Sequence, residues 1–261
     1  MLKEIDIRQI QTISELEKIQ YVEKAVWNTD TVPVHQTFTA VNNGGIILGA
    51  YYNGSMVGFL YSFPGFDGNK HYLCSHMLGI LPEFRKYGIG LAMKFKQAEL
   101  AKKIGYSMIT WTFDPLQSIN AFLNLQKLGS VGAFYKENYY GDMNDKLNAG
   151  LPTDRMHIHW DLHTENKHRY LPFNPKKVLL DVKDDAPNLT DVKDTVITRN
   201  KGPWFVAIPN DFNTIKEENS QLALQWRLQT RIVFQKLFRA GYQAYGLHRD
   251  KQNQLNYYLF M

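Results

Sequence analysis

Apolar residues alternate or recur along this chain in a pattern that predicts short strands grouped around two long amphipathic helices. Leu2, Ile5 and Ile7 read as a first strand. Thr12 or Ser14 stands where a helix cap belongs, ahead of an apolar stripe at Leu16, Ile19, Val22 and Val26. The stretch from Trp27 to Asn43 is irregular, with Pro33 and a short helix around His35 to Val41. Two strands, Gly45 to Tyr52 and Met56 to Phe63, meet at Asn53-Gly54, a dipeptide that favours a tight hairpin. A turn at Asp67-Gly68 opens an alternating run, His71 to Ile80, broken by Pro82-Glu83. A helix from Gly88 to Ile104 follows, its stripe formed by Leu91, Phe95, Ala98, Leu100 and Ala101 and its end marked by Gly105. Ser107 to Phe113 is the next strand. Because a helix connects it to the strand before, the two must run parallel.

Downstream, Ser118 is placed to cap a helix ending at Gly129, and Met156 to Leu162 reads as a strand. His163 to Lys177, polar and holding Pro172 and Pro175, reads as a linker. Val178 to Val182, Val192 to Thr198 and Trp204 to Pro209 are expected strands, Lys216 to Ala240 a helix stopped by Gly241, and Gln243 to Leu247 with Leu255 to Phe260 a closing hairpin. The expected organisation is a mixed α/β domain over 1–162, a linker over 163–177 and a C-terminal α+β lobe over 178–261, packed on the core or extending its sheet.

Composition narrows the classes of function. One cysteine, Cys74, excludes a disulfide framework and a cysteine metal site, and no metal is expected. No apolar run reaches membrane-spanning length and the N-terminus lacks signal-peptide character, so a cytoplasmic protein without a membrane partner is expected. The net charge of +5 is modest and its lysines and arginines are dispersed, which argues against nucleic acid as a partner.

The chemistry is concentrated in the turn Arg85-Lys86-Tyr87-Gly88-Ile89-Gly90. A strand feeding a glycine-containing turn at a helix start leaves backbone N–H groups free at the positive end of the helix dipole, a cradle for phosphate. A P-loop would need Gly-Lys-Ser/Thr, but Gly90 is followed by Leu91-Ala92; a dinucleotide turn would need a third glycine where Met93 stands. What remains, Ile80-Leu81-Pro82-Glu83 followed by Arg-x-x-Gly-x-Gly, closely resembles the acyl-CoA-binding motif of the GNAT family of N-acyltransferases. The resemblance runs from about Gly45 to Leu128.

The resemblance implies a GNAT fold in which the two parallel central strands splay apart and an acyl-CoA enters the gap. The backbone of Leu78 and Ile80 would then meet the thioester end, and Arg85, Lys86, Tyr87, Gly88, Ile89, Gly90 and Leu91 the phosphates. Acetyl-CoA is the expected co-substrate and a small, amino-acid-like amine the expected acceptor. His76 resembles the catalytic base of arylalkylamine-type members, and simple strand alternation would put Cys74, His76, Leu78 and Ile80 on one face. Trp27 and Phe38 fall in the region that forms part of the acceptor pocket, and Asp114 could orient the amine. Ser118 to Gly129 is similar to the family's "N…LY-x-K-x-GF" helix: Asn120 matches the cofactor-side asparagine, but Leu125 replaces the tyrosine that commonly protonates the CoA sulfur. Tyr135, Tyr139 and Tyr140 are the nearby alternatives for that acid, and solvent is another. The segment Gly150-Leu151-Pro152-Thr153-Asp154-Arg155 resembles a branch of mostly predicted acetyltransferases, some similar to N-succinyltransferases of amino acids. There Arg155 could grip a carboxylate or pair with Asp154. Arg227 and Arg231, four apart on one helix face, suit either an acidic ligand or salt bridges. Succinyl-CoA is the alternative donor, and a non-catalytic acyl-CoA sensor the alternative class. The oligomeric state has no signature in the sequence.

Overall fold

The computed structural model describes residues 4–141, 150–164, 172–190, 197, 201–250 and 252–261. They form two compact units, one of Met1–Trp111 with Asp161–Glu165, the other of Thr112–Trp160 with Asn166–Met261.

In the first unit, strands β1 (Asp6–Gln9), β2 (Ile47–Tyr52), β3 (Ser55–Phe66) and β4 (His71–Ile80) pair antiparallel in that order, and β4 then pairs in parallel with β5 (Met108–Phe113). Helices α1 (Ile13–Trp27) and α2 (Val34–Asn42) cover one face and α3 (Ile89–Lys103) the other. The α1 stripe is Leu16, Ile19 and Val22, all buried; Val26 stays half-buried at its margin. Thr12 occupies the cap position, but its hydroxyl donates to the Glu15 carboxylate rather than accepting from the helix backbone. Buried Glu23 accepts the Val32 N–H with both carboxylate oxygens at 3.1 Å, fixing the connection from α1 to α2. Asn53 and Gly54 take the positive φ angles (47° and 80°) that the hairpin demands. In α3 the buried stripe is Ile89, Met93, Lys94, Gln97, Ala98 and Ala101, while Phe95 is 48% exposed. The expected stripe is therefore rotated, and it carries two polar residues into the interior.

The second unit holds strands β6 (Val131–Lys136), β7 (Arg155–Asp161), β8 (Val178–Lys183), β9 (Ala186–Leu189), β10 (Trp204–Pro209), β11 (Ala244–Asp250) and β12 (Leu255–Phe260), in the order β7-β6-β11-β12-β10-β8-β9. The expected boundary near Leu162 is not where the compact units divide. Residues 112–160 group with the C-terminal strands because β6 meets β11 at Gly132 and Ala244. A Cβ on Gly132 would lie 2.5 Å from Met156 Sδ and 2.9 Å from Ala244 Cβ, so only glycine lets the strands approach there. Gln126 adds a hydrogen bond of 3.0 Å to the Leu247 carbonyl. The expected 216–240 helix is two, α5 (Phe212–Glu218) and α6 (Ser220–Arg239). Asn219 breaks it by leaving helical geometry and capping the second with its own side chain. Helix α4 (Ser118–Ala121) runs into a wider i→i+5 turn over Phe122–Lys127. Ser118 is its first residue rather than its cap, and its hydroxyl donates to the Asn210 carbonyl at 2.6 Å. The strand expected over 192–198, apart from residue 197, and residues 165–171 of the expected linker lie outside the described residues. Among the described residues, no helix is long and apolar enough to cross a membrane.

Candidate active site

The ladder between β4 and β5 has two rungs, Leu73 with Ile109 and Cys74 with Thr110. Strand β4 continues to Ile80, so from Ser75 onward its edge on that side has no partner in the ladder. This is the fork implied by the resemblance. Unpaired backbone N–H and C=O groups along a strand edge are a template for the amides of an extended ligand. At the last rung, Thr110 Oγ1 is buried without a hydrogen-bond partner among the described residues.

The β4 strand is not regular. Tyr61 of β3 faces Met77, whereas its neighbour Ser62 faces Ser75, leaving His76 as the extra residue of a β-bulge. Directly opposed residues in an antiparallel pair share a face, so the bulge redistributes the side chains that simple alternation placed together. Leu78 and Ile80 lie with Leu60 and Gly58 on the α3 face, Leu78 packing 3.5 Å from where a Gly90 Cβ would stand. Cys74, opposite Phe63, lies on the other face with His76, whose ring centroid is 6.0 Å from Tyr61 and 5.6 Å from Phe63. The expected single face of Cys74, His76, Leu78 and Ile80 is thus two faces. Only the two side chains before the bulge's end, Cys74 and His76, share the α1–α2 side.

On that side Trp27 ends α1, its ring edge-on to Phe59 at 5.8 Å and 3.0 Å from where a Gly79 Cβ would sit. Phe38 is half-buried on α2, and Gln36 of the same helix hydrogen-bonds the Tyr61 hydroxyl. His76 is open to solvent on one side, while the burial of its ring against these aromatics pushes its pKa below the ordinary 6.5. A mostly neutral imidazole at pH 7 is the protonation state that a base requires. Burial raises the Cys74 thiol instead, which suits an inert residue.

The turn before α3 has the geometry of an anion cradle. Lys86 and Gly88 both have positive φ (70° and 78°), Gly88 occupies the cap position and no side chain caps the helix. The N–H groups of Ile89, Gly90 and Leu91 precede the first helical acceptor bond, Ala92 N–H to the Gly88 carbonyl at 3.0 Å. Arg85 Nε donates to the Ile80 carbonyl at 3.1 Å, tying the turn to the end of β4, while Arg85, Lys86 and Tyr87 remain exposed. The two glycines are not equivalent. Gly88→Ala places a side chain in the left-handed region and should cost about 1–2 kcal/mol. Gly90→Ala meets only ordinary contact with Leu78 and should leave the melting temperature unchanged in thermal denaturation.

The remaining candidates belong to the second unit, where they are engaged in structure. Asp114 is buried, and Arg227 of α6 grips it with Nη1 to Oδ1 at 2.9 Å and Nη2 to Oδ2 at 2.7 Å. Burial works to raise the Asp114 pKa, yet the guanidinium and the Leu116 N–H hold it below the usual carboxylate range. Asp154, fully buried, does not pair with the Arg155 side chain but with Arg231, at 2.9 and 2.8 Å. Arg155 Nη1 donates instead to the Asp154 carbonyl oxygen, and its guanidinium lies 5.2 Å above the Tyr140 ring. The Tyr135 hydroxyl donates to the Asp154 carboxylate, and burial beside that carboxylate pushes its pKa far upward. That proton is committed to the network, so Tyr135 is a poor general acid as it stands. Tyr140 shares a 3.0 Å hydrogen bond with Thr112, and Tyr139 packs edge-on against it. Leu125 is buried core, and Asn120 is exposed on α4. Among the described residues, no His, Cys, Asp and Glu cluster is arranged to hold a metal ion.

Sequence reading missed one residue of the first unit, Lys94. It is 4% exposed, with Nζ 2.7 Å from Ser75 Oγ and 3.7 Å above the centre of the Trp111 ring. The signal was a lysine beside Met93 inside α3, on the face that also buries Ile89, Ala98 and Ala101, which the assumption of a solvated lysine concealed.

A strand fork beside a helix-start anion cradle, in this strand order, is the fold of an acyl-CoA-dependent N-acyltransferase. Residues 10–126 match the model of the acetyltransferase (GNAT) family. No curated protein sequence matches the chain. Among solved structures, the ribosomal-protein-S18-alanine N-acetyltransferase from Escherichia coli is similar at 14% identity and a TM-score of 0.50, covering 64% of this chain and 99% of its own. Arabidopsis thaliana Naa50, in complex with the bisubstrate analogue CoA-Ac-MVNAL, matches at 15% identity and a TM-score of 0.48, over 60% of this chain and 97% of its own. An acetyltransferase of the GNAT family from Streptococcus pneumoniae matches at 16% identity and a TM-score of 0.48, over 60% and 98%. At such identities the likeness is one of fold.

Proposed function

We propose that this enzyme transfers an acetyl group from acetyl-CoA to the amine of a small, amino-acid-like acceptor in the cytoplasm, by direct attack on the thioester. The observation that carries this reading is the bulge that takes His76 out of the ladder at the start of an unpaired strand edge. In this reading the phosphates rest on the N–H groups of Ile89, Gly90 and Leu91 with Arg85 and Lys86 alongside. The acyl arm follows the open edge of Leu78 and Ile80. The acceptor comes from the side of Trp27, Phe38 and Tyr61, where His76 removes its proton. Holding amine and thioester in line supplies much of the acceleration.

The test is a screen of amines, with and without an α-carboxylate, against acetyl-CoA and succinyl-CoA, reading released CoA thiol and the mass of the product. Turnover with acetyl-CoA and carboxylate-bearing amines is expected. Preference for succinyl-CoA would replace the donor. Turnover confined to amines lacking a carboxylate would contradict the acceptor class.

A further inference from the structure

Lys94 is buried, and among the described residues no anion pairs with it. Its neighbours come from the elements around it: Ser75 and Cys74 of β4, Trp111 of β5, and Gln97 of its own helix α3, which accepts from the Ser75 hydroxyl at 3.2 Å and donates back to it at 3.1 Å. None is a carboxylate. Taking an ammonium out of water is costly unless it is paired, and burial lowers the Lys94 pKa to about 7. An apolar residue would fill this position on α3 at less expense.

The location gives the reason. Ser75 is the first β4 residue past the last rung with β5, and Trp111 is the first β5 residue past it. The amine therefore spans the crotch of the fork on the α3 side. An acyl-CoA with its phosphates at the start of α3 and its arm along β4 from Ile80 inward brings its thioester to that crotch. The acid that must meet the leaving sulfur has no candidate at Leu125, a buried aliphatic residue, and Tyr135 is bound to Asp154.

We propose that Lys94 is the general acid of this acyltransferase, delivering its ammonium proton to the sulfur of CoA as the C–S bond breaks. This role rests on the acyl-CoA reading above. In the step, the acceptor nitrogen forms a bond to the thioester carbonyl carbon, the carbonyl re-forms, and the C–S electron pair leaves on sulfur. That sulfur takes the proton from Lys94 Nζ. His76 takes the proton lost by the acceptor nitrogen, and exchange with water restores both groups. A free thiol has a pKa near 8.5, so proton transfer from an ammonium that titrates about a unit or more lower is downhill. With thiolate in place the ammonium gains a counter-ion that none of the described residues supplies.

The experiment compares the protein with its Lys94→Met variant, both carrying Cys74→Ala so that CoA supplies the sole thiol. Methionine keeps the length of the side chain and removes a buried charge, so its melting temperature at pH 6 should not fall. Bound CoA is titrated by the ultraviolet absorbance of its thiolate. The expected result is a thiol pKa lower by about one to three units beside Lys94 than in the variant, the range for an opposite charge within a few ångströms. Turnover should fall in the variant by about a hundredfold or more. Identical thiol titrations with CoA bound to both proteins would overturn the Lys94 role while leaving the acyl-CoA site standing. Failure of CoA to bind either protein would overturn the acyl-CoA reading, and the Lys94 role with it.

Discussion

Replacing His76 by glutamine should lower kcat by roughly 10²–10⁴-fold, the contribution of a positioned general base. Glutamine keeps a polar side chain of similar reach beside Tyr61 and Phe63, so the bulge and CoA binding should survive; the loss then belongs to proton transfer. The pH dependence gives a second reading of the same residue. Burial of the ring depresses its pKa below 6.5, so the active, neutral form persists into mildly acidic solution. In the native enzyme kcat/KM should rise with pH through an apparent pKa below 6.5, and the variant should lack that limb. A native profile with its acid limb well above 6.5, or a variant that retains both the limb and the rate, would assign the base elsewhere.

The largest effect on stability is expected at Asp114 and Arg227. Each is buried, and the bidentate geometry matches carboxylate to guanidinium. Asp114→Asn or Arg227→Met strands the surviving partner without its counter-charge and should destabilise by about 3–5 kcal/mol. In a chain of this length that corresponds to a fall of roughly 10 °C in melting temperature. The double change Asp114→Leu with Arg227→Met should recover most of the loss, since two apolar groups leave no buried charge. Native Asp114 has a folded pKa below its unfolded value of 3.8, so its contribution is present above pH 3.8. It is lost as pH falls through the folded value. Acid unfolding monitored by circular dichroism should therefore shift to higher pH in Asp114→Asn if another carboxylate carries the acid transition, and flatten if Asp114 carries it.

How much of this was legible in the sequence depends on the range of the interaction involved. Turn chemistry is local, and Asn53-Gly54, the Arg85–Gly90 turn and the Gly105 helix end all stand where the residues placed them. A bulge is not local. His76 is displaced because two partner residues of β3 meet three of β4, and nothing within HYLCSHMLGI distinguishes that arrangement from strict alternation. The salt bridges were beyond reach for the same reason. Asp114 and Arg227 lie far apart in the chain, and Asp154 pairs with Arg231 although Arg155 is its neighbour in sequence. Lys94 was hidden by composition, since lysines on a helix are ordinarily solvated, and its burial follows from how α3 meets β4 and β5. The division of the chain after Trp111 likewise reflects a strand pairing, β6 with β11, that joins residues more than a hundred positions apart.

The proposed site for an acyl-CoA is the Arg85–Leu91 turn together with the open β4 edge. The most direct measurement is thermal unfolding of the purified protein with CoA, acetyl-CoA and succinyl-CoA. At about a hundred times the dissociation constant each should add roughly 2.7 kcal/mol, a clear rise in melting temperature. The account predicts a rise with all three and the largest rise with the thioester that is the true donor. An unchanged melting temperature with every one of them would contradict it, leaving the glycine turn as a helix start and nothing more.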